Sequence, residues 1–103
     1  MNAEVFLHTI KNKVVQEDAY ASVILYGSRA RGDFKEDSDW DILVLTSRIG
    51  DKKLEEKIRD NIYELQLEFL QPVSTIIIEK ENWLSKHLVT GFYQNVITEG
   101  ITL

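Results

Sequence analysis

The sequence predicts a small α/β (α+β) fold, a mixed β-sheet of about three to four strands flanked by helices. Two observations carry this expectation. Runs of β-branched and apolar residues at 22–26, 39–46 and 73–78 read as strands, and helical periodicity fills the segments around them. The connection between the first two strands is also tight, which favours a mixed sheet over an all-parallel one.

Taken in order, Phe6, Ile10 and Val14, with Leu7 and Val15 alongside, repeat at the helical period, and Asn2 is placed to cap that helix. "SVILY" (22–26) ends at Gly27 as a short buried strand. Residues 28–38 read as a turn and polar loop with one helical turn at the start. "DWDILVLT" (39–46) reads as a strand that is polar where it begins and buried where it ends. Gly50-Asp51 opens a long helix in which Leu54, Ile58, Ile62, Leu65 and Phe69 form one apolar stripe among Lys, Glu and Arg, and Pro72 stops it. "VSTIII" (73–78) is the third strand. Residues 81–89, carrying Trp83, and 92–99, closed by Gly100, read as short helices. The sheet face that the helices leave free is expected to form the site. With no internal repeat, linker or low-complexity tract, residues 1–103 are expected to form a single domain.

Composition narrows the function classes. Hydrophobic residues make up 44% of the 103 and charged residues 28%, enough for a core and against disorder. There is no cysteine, so disulfides and thiolate metal sites are excluded. The balance of 12 basic against 17 acidic residues, net −5, argues against a long nucleic acid as partner while leaving room for one nucleotide. The apolar runs are too short to cross a bilayer and the N-terminal stretch has no signal-like apolar core, so a soluble cytoplasmic protein is expected.

One stretch interrupts two core strands with polar chemistry: "ILYGSRARGDFKEDSDWD", residues 24–41. In a strand, residues i and i+2 share a face about 6.6 Å apart. Asp39 and Asp41 therefore present their carboxylates together, with Trp40 on the other face. Two such carboxylates repel unless a cation lies between them, and oxygen ligands suit Mg²⁺ or Mn²⁺. Gly27 lets backbone approach a phosphate, Ser28 adds a hydroxyl and an amide donor, and Arg29 and Arg31 are placed to supply guanidinium donors to phosphate oxygens. Each part alone is commonplace: a Gly-Ser turn, a solvated Asp-x-Asp edge, an Arg31 paired on the surface with Asp33 or Glu36. "RGD" at 31–33 reads as coincidence. His8 and His87 lack metal-ligand spacing, and Tyr26, Trp83 and Phe92 read as packing residues, with base stacking by Tyr26 the lesser reading.

The string "YGSRARGDFKEDSDWDILV" resembles the GS-x10-DxD pattern of the DNA polymerase β-type nucleotidyltransferase superfamily. It is closest to that superfamily's minimal nucleotidyltransferases, with Gly27, Ser28, Arg31, Gly32, Ser38, Asp39 and Asp41 all in register. The resemblance implies the polymerase β-type fold and transfer of a nucleoside monophosphate, AMP from ATP, to a hydroxyl with two Mg²⁺ ions. It implies that Asp39 and Asp41 are catalytic metal ligands, and that Gly27, Ser28 and Arg31 bind nucleotide phosphates. It further implies a small helical HEPN protein as partner, with this chain as antitoxin and a tyrosine hydroxyl as acceptor; homo- and hetero-oligomers both remain open.

The superfamily's third carboxylate is not found. Ser74 stands at its register, beside Thr75, and Glu79 or Glu68 are the alternatives. Two readings follow: an enzyme that adenylylates its partner, or a catalytically weak nucleotidyltransferase-like protein that neutralises the partner by contact. A Mg²⁺-dependent nuclease would explain the acids but not the Gly-Ser turn.

Overall fold

A computed structural model describes residues 1–103. The elements are α1 (Ala3–Glu17), β1 (Ser22–Tyr26), α2 (Ser28–Arg31), β2 (Trp40–Thr46), α3 (Lys52–Phe69), β3 (Val73–Glu79), α4 (Lys80–Ser85), α5 (Gly91–Glu99) and β4 (Ile101–Thr102). The sheet order is β3-β2-β1-β4. β1 runs antiparallel to β2 and to β4, while β2 and β3 are parallel, so the sheet is mixed as expected. The parallel pair needs a crossover, and α3 provides it.

The helix ends follow local chemistry. The Asn2 side chain accepts a hydrogen bond from the Val5 amide at 3.2 Å, and Asp51 does the same for Leu54 at 3.0 Å. α3 ends at Phe69, with Leu70 in the left-handed region (φ 54°) and Pro72 close behind. α4 stops at Ser85, short of the predicted 81–89, where the Lys86 and His87 amides both turn back to the Asn82 carbonyl (2.8 and 3.3 Å); Thr90 then caps the next helix, its hydroxyl accepting from the Tyr93 amide at 3.0 Å. β4, only two residues long, carries no readable period in the sequence; pairing with β1 holds it.

Alternation along β2 divides the interior. Trp40, Ile42 and Val44 pack with Phe6, Ile10 and Val14 of α1 and with Leu54, Ile58, Ile62 and Leu65 of α3. Leu43 and Leu45 face the other way, against Trp83 of α4 and Val96 of α5. Both sheet faces are thus covered, which corrects the expectation of a free face. Helices α4 and α5 have enough apolar surface, in Trp83, Phe92, Tyr93 and Val96, to take the second face. Polar chemistry is left to the strand ends.

One buried charge braces the end of the sheet away from Gly27. Asp18, 1% exposed, accepts from the Ser47 amide (2.7 Å), the Ser47 hydroxyl (2.6 Å) and the Tyr20 amide (3.2 Å). Burial pushes its carboxyl up, but the hydrogen bonds from Ser47 and Tyr20, helped by Arg48, outweigh burial and hold it below the ordinary value. No helix is long and apolar enough to cross a membrane.

Candidate active site

β1 ends at Tyr26 and β2 begins at Trp40, and their antiparallel pairing sets Tyr26 opposite Asp41. The parallel partner on the other side sets Ser74 opposite Asp41. Asp41 therefore stands in the middle of a cross-strand row, Tyr26–Asp41–Ser74, on the face covered by α4 and α5. Asp39 lies just before the strand starts and is exposed, whereas Asp41 is half-buried. Trp40 between them turns to the opposite face, 4% exposed and edge-on to Phe6 with ring centroids 5.5 Å apart.

Gly27 meets this row from β1. Its backbone (φ 74°, ψ −158°) lies in a region essentially restricted to glycine. A Cβ at this position would lie 2.2 Å from Oδ2 of Asp41. The turn backbone is thus laid directly against the inner carboxylate, with Ser28 half-buried beside it. The structure brings Gly27, Ser28 and Asp41 to one corner, with Asp39 two residues from Asp41 and Arg31 three residues beyond Ser28.

The two arginines separate in role. Arg29 does not face outward as a phosphate donor. Its guanidinium lies between the rings of Phe34 and Trp40, at 4.3 and 4.4 Å, and donates to the carbonyls of Ser38 (3.0 and 3.3 Å) and Glu36 (3.1 Å). Those contacts clamp the loop that carries Asp39, which corrects the phosphate reading of Arg29. Arg31 pairs with Asp33 (3.2 Å) and with Glu99 (3.1 Å), and both contacts hold it in its charged form; Glu36 is not its partner.

Asp41 is electrostatically unsatisfied. Burial, followed by the charge of Asp39, pushes the Asp41 carboxyl above the ordinary carboxylate range, and Arg31 pulls only partly the other way. Burial and the charge of Asp41 likewise raise the Tyr26 phenol. An oxygen-rich corner whose two carboxylates repel each other fits a hard divalent cation, with remaining positions left to water and phosphate oxygens.

One alternative for a third carboxylate, Glu79, is held far from Asp41. Glu79 pairs with Thr46 at the far end of β3, where it accepts from the Gly50 amide and, at 2.8 Å, from Asn82. Five residue steps along the strand separate it from Ser74, about 16 Å. Glu68 is exposed on α3. The carboxylate that sequence reasoning missed is Glu99, at the end of α5, whose Oε1 accepts from the Gly27 amide at 3.3 Å as well as from Arg31. Its separation of 72 residues from Gly27 leaves no local signal. Tyr26 packs edge-on to Phe92 at 5.3 Å and His87 stacks on Trp83 at 5.8 Å, both as packing residues.

Comparison with known proteins finds relatives of the chain as a whole. The family described as "Polymerase beta, Nucleotidyltransferase" matches residues 8–103. Two proteins of Methanocaldococcus jannaschii are similar to the chain. "Putative protein adenylyltransferase MJ0604" is 35% identical over 98 residues, spanning 95% of this chain and 90% of its own length. "Putative protein adenylyltransferase MJ0141" is 36% identical over 87 residues, spanning 84% of this chain and 82% of its own. Among solved structures, a mutant of the toxin-antitoxin MntA-HpeT superposes with TM-score 0.60 at 17% identity, over 99% of this chain and 72% of that one. A toxin-antitoxin crystallised with AMP-PNP gives TM-score 0.59 at 21% identity, over 90% of this chain and 68% of that one. At these identities the two structures show a shared fold.

Proposed function

The chain belongs to the polymerase beta nucleotidyltransferase family, and from that membership and its paired acids we propose that it transfers AMP from ATP to a hydroxyl of a protein partner. In this reading residues 1–103 are one catalytic domain, working in the cytoplasm as the antitoxin of a pair whose toxin is a small helical HEPN protein. The observation that carries it is the seating of the Gly27 backbone on the Asp41 carboxylate, where a Cβ would come within 2.2 Å of Oδ2. A turn that must be free of side chain, set beside two repelling carboxylates, suits a phosphate chain and its counter-ion. The names of the archaeal relatives support transfer to protein, and the toxin-antitoxin likenesses support the kind of partner.

Asp39 and Asp41 would hold Mg²⁺, two ions by family analogy. A bound divalent ion supplies positive charge to the transferring phosphoryl group and to the leaving pyrophosphate. The chain's own residues bind and orient. Gly27 and Ser28 receive phosphate oxygens, Arg31 balances their charge, and Trp40 locks the backbone between the two acids by its burial on the opposite face. The acceptor oxygen bonds to the α-phosphorus as the bond to the pyrophosphate oxygen breaks, and the hydroxyl proton passes to solvent, because Ser74 offers no base.

A second reading, neutralisation of the partner by contact alone, is favoured by one observation: Ser74, not a carboxylate, faces Asp41 in the β2–β3 register. ATP labelled on its α-phosphate, incubated with Mg²⁺ and the co-purified partner, separates the two. Transfer of label to the partner, abolished by Asp39→Ala with Asp41→Ala, supports the enzyme. No transfer while the partner still binds tightly, in an assay where an active relative works, overturns it in favour of the contact reading.

A further inference from the structure

We propose that Glu99 is an internal anion that occupies the phosphate donors of the site and competes with the incoming nucleotide; this rests on the nucleotide-site reading of Gly27, Ser28 and Arg31. One oxygen of its carboxylate, Oε1, accepts from the Gly27 amide at 3.3 Å and from Nη1 of Arg31 at 3.1 Å. A main-chain amide from a glycine turn and a guanidinium converging on one anionic oxygen make the donor set that a phosphate oxygen requires. Glu99 and a phosphate cannot use those donors together. Their charges also repel at close range.

The backbone around Glu99 is tied down, so the competitor is always at hand. α5 closes through the Gly100 amide on the Val96 carbonyl at 2.8 Å. A Cβ at Gly100 would meet that carbonyl oxygen at 2.4 Å and Ile24 Cγ2 at 2.9 Å, so the chain passes hard against β1 as it leaves the helix. Ile101 and Thr102 then pair with Leu25 and Ile24, the Leu103 amide donates to the Val23 carbonyl at 2.8 Å, and Lys11 donates to the Leu103 carbonyl at 2.7 Å. With both sides of Glu99 held, the side chain leaves the donors by rotation about its own bonds, without unfolding of the tail. The Glu99 side chain is 21% exposed and has solvent to turn into.

Two consequences follow. A ligand must bring more negative charge than one carboxylate to win the donors, which favours a triphosphate over a monophosphate. The same carboxylate, returning to Gly27 and Arg31, also assists departure of pyrophosphate.

The test is equilibrium binding of labelled ATP with Mg²⁺ to the wild-type chain, Glu99→Gln and Glu99→Ala at one ionic strength, with melting curves for each protein. Gln keeps the shape and an acceptor oxygen but loses the charge, so a merely structural brace survives in it. The expected result is a Kd about fivefold lower in Glu99→Gln, the size of effect typical of one partly exposed charged contact, and at least as low in Glu99→Ala. Inorganic pyrophosphate as competitor should gain in the same proportion. A Kd in Glu99→Gln equal to or above the wild-type value overturns the proposal and makes Glu99 a brace or a ligand contact. If ATP binds none of the three folded proteins, the nucleotide site itself is overturned and the competitor with it.

Discussion

Replacing Gly27 by alanine tests the corner on which the functional reading depends. The residue has φ 74° and ψ −158°, and holding a non-glycine residue in that region costs about 1–3 kcal/mol. The new Cβ would also lie 2.2, 3.1 and 3.3 Å from Oδ2, Cγ and Cβ of Asp41, so the carboxylate must move by roughly an ångström to restore ordinary contact. Taking about 2 kcal/mol for the backbone, the melting midpoint should fall by about 8–16 °C for a domain of this size. Displacement of Asp41 should weaken Mn²⁺ binding by roughly 10–100-fold, as for other disturbances of ligand geometry. Gly32→Ala is the control: that residue also has positive φ (89°), but a Cβ there meets nothing within 4 Å. Thermal melts and Mn²⁺ titration of both variants separate strain from carboxylate displacement. Gly27→Ala binding Mn²⁺ as tightly as Gly32→Ala would refute the claim that the turn backbone sets the position of Asp41.

Three further outcomes are expected. Arg29→Met removes the guanidinium from between Phe34 and Trp40 and its bonds to Ser38 and Glu36; it should cost about 1–2 kcal/mol of stability in urea and lower Mn²⁺ affinity by loosening Asp39, with Arg29→Lys restoring only part because it lacks the planar fork. Asp18→Asn should cost about 2 kcal/mol at neutral pH, by loss of the charged acceptor for Ser47 and Tyr20. Because the folded Asp18 carboxyl is held below its ordinary value, its contribution is fully present above the unfolded carboxylate pKa of about 3.9 and is lost as pH falls through the folded value. The stability gap between wild type and Asp18→Asn, followed by urea unfolding from neutral pH downward, should therefore be flat above about pH 5 and close only in acid. Thr46→Val should stabilise the chain by about 1 kcal/mol, since the Thr46 hydroxyl is buried without a hydrogen-bond partner; a lower melting point in Thr46→Val would refute that.

Much of the fold was legible because its signals are local. The apolar stripe of α3, the Asp51 cap and the Pro72 stop lie within one helix and its flanks, and the observed Lys52–Phe69 follows from them. β1 appears where its β-branched run predicts it, at Ser22–Tyr26. The predicted 81–89 overruns α4 because no glycine or proline directly follows Ser85 to mark the stop, where the Lys86 and His87 amides turn back to the Asn82 carbonyl. The covering of the second face is not legible in the sequence: whether Trp83, Phe92 and Val96 fold back over Leu43 and Leu45 depends on chain reversal, which no periodicity encodes.

The family, the strand–turn–strand frame and the spacing from Gly27-Ser28 to Asp39 and Asp41 are readable in the amino acids alone, since these depend on residue type and on the geometry of short segments. Ser74 was also readable by register, and β2–β3 pairing sets it opposite Asp41. The Arg31–Asp33 pair was legible too, but which charges meet between distant segments follows from packing alone. Arg29 and Arg31 are two residues apart and chemically alike, yet one is clamped between aromatic rings and the other meets Glu99. Arg29 finds its rings and carbonyls within the loop and strand start that follow it, whereas the Arg31–Glu99 pair, which depends on a distance of a few ångströms through space, forms only after α5 and β4 have packed against β1.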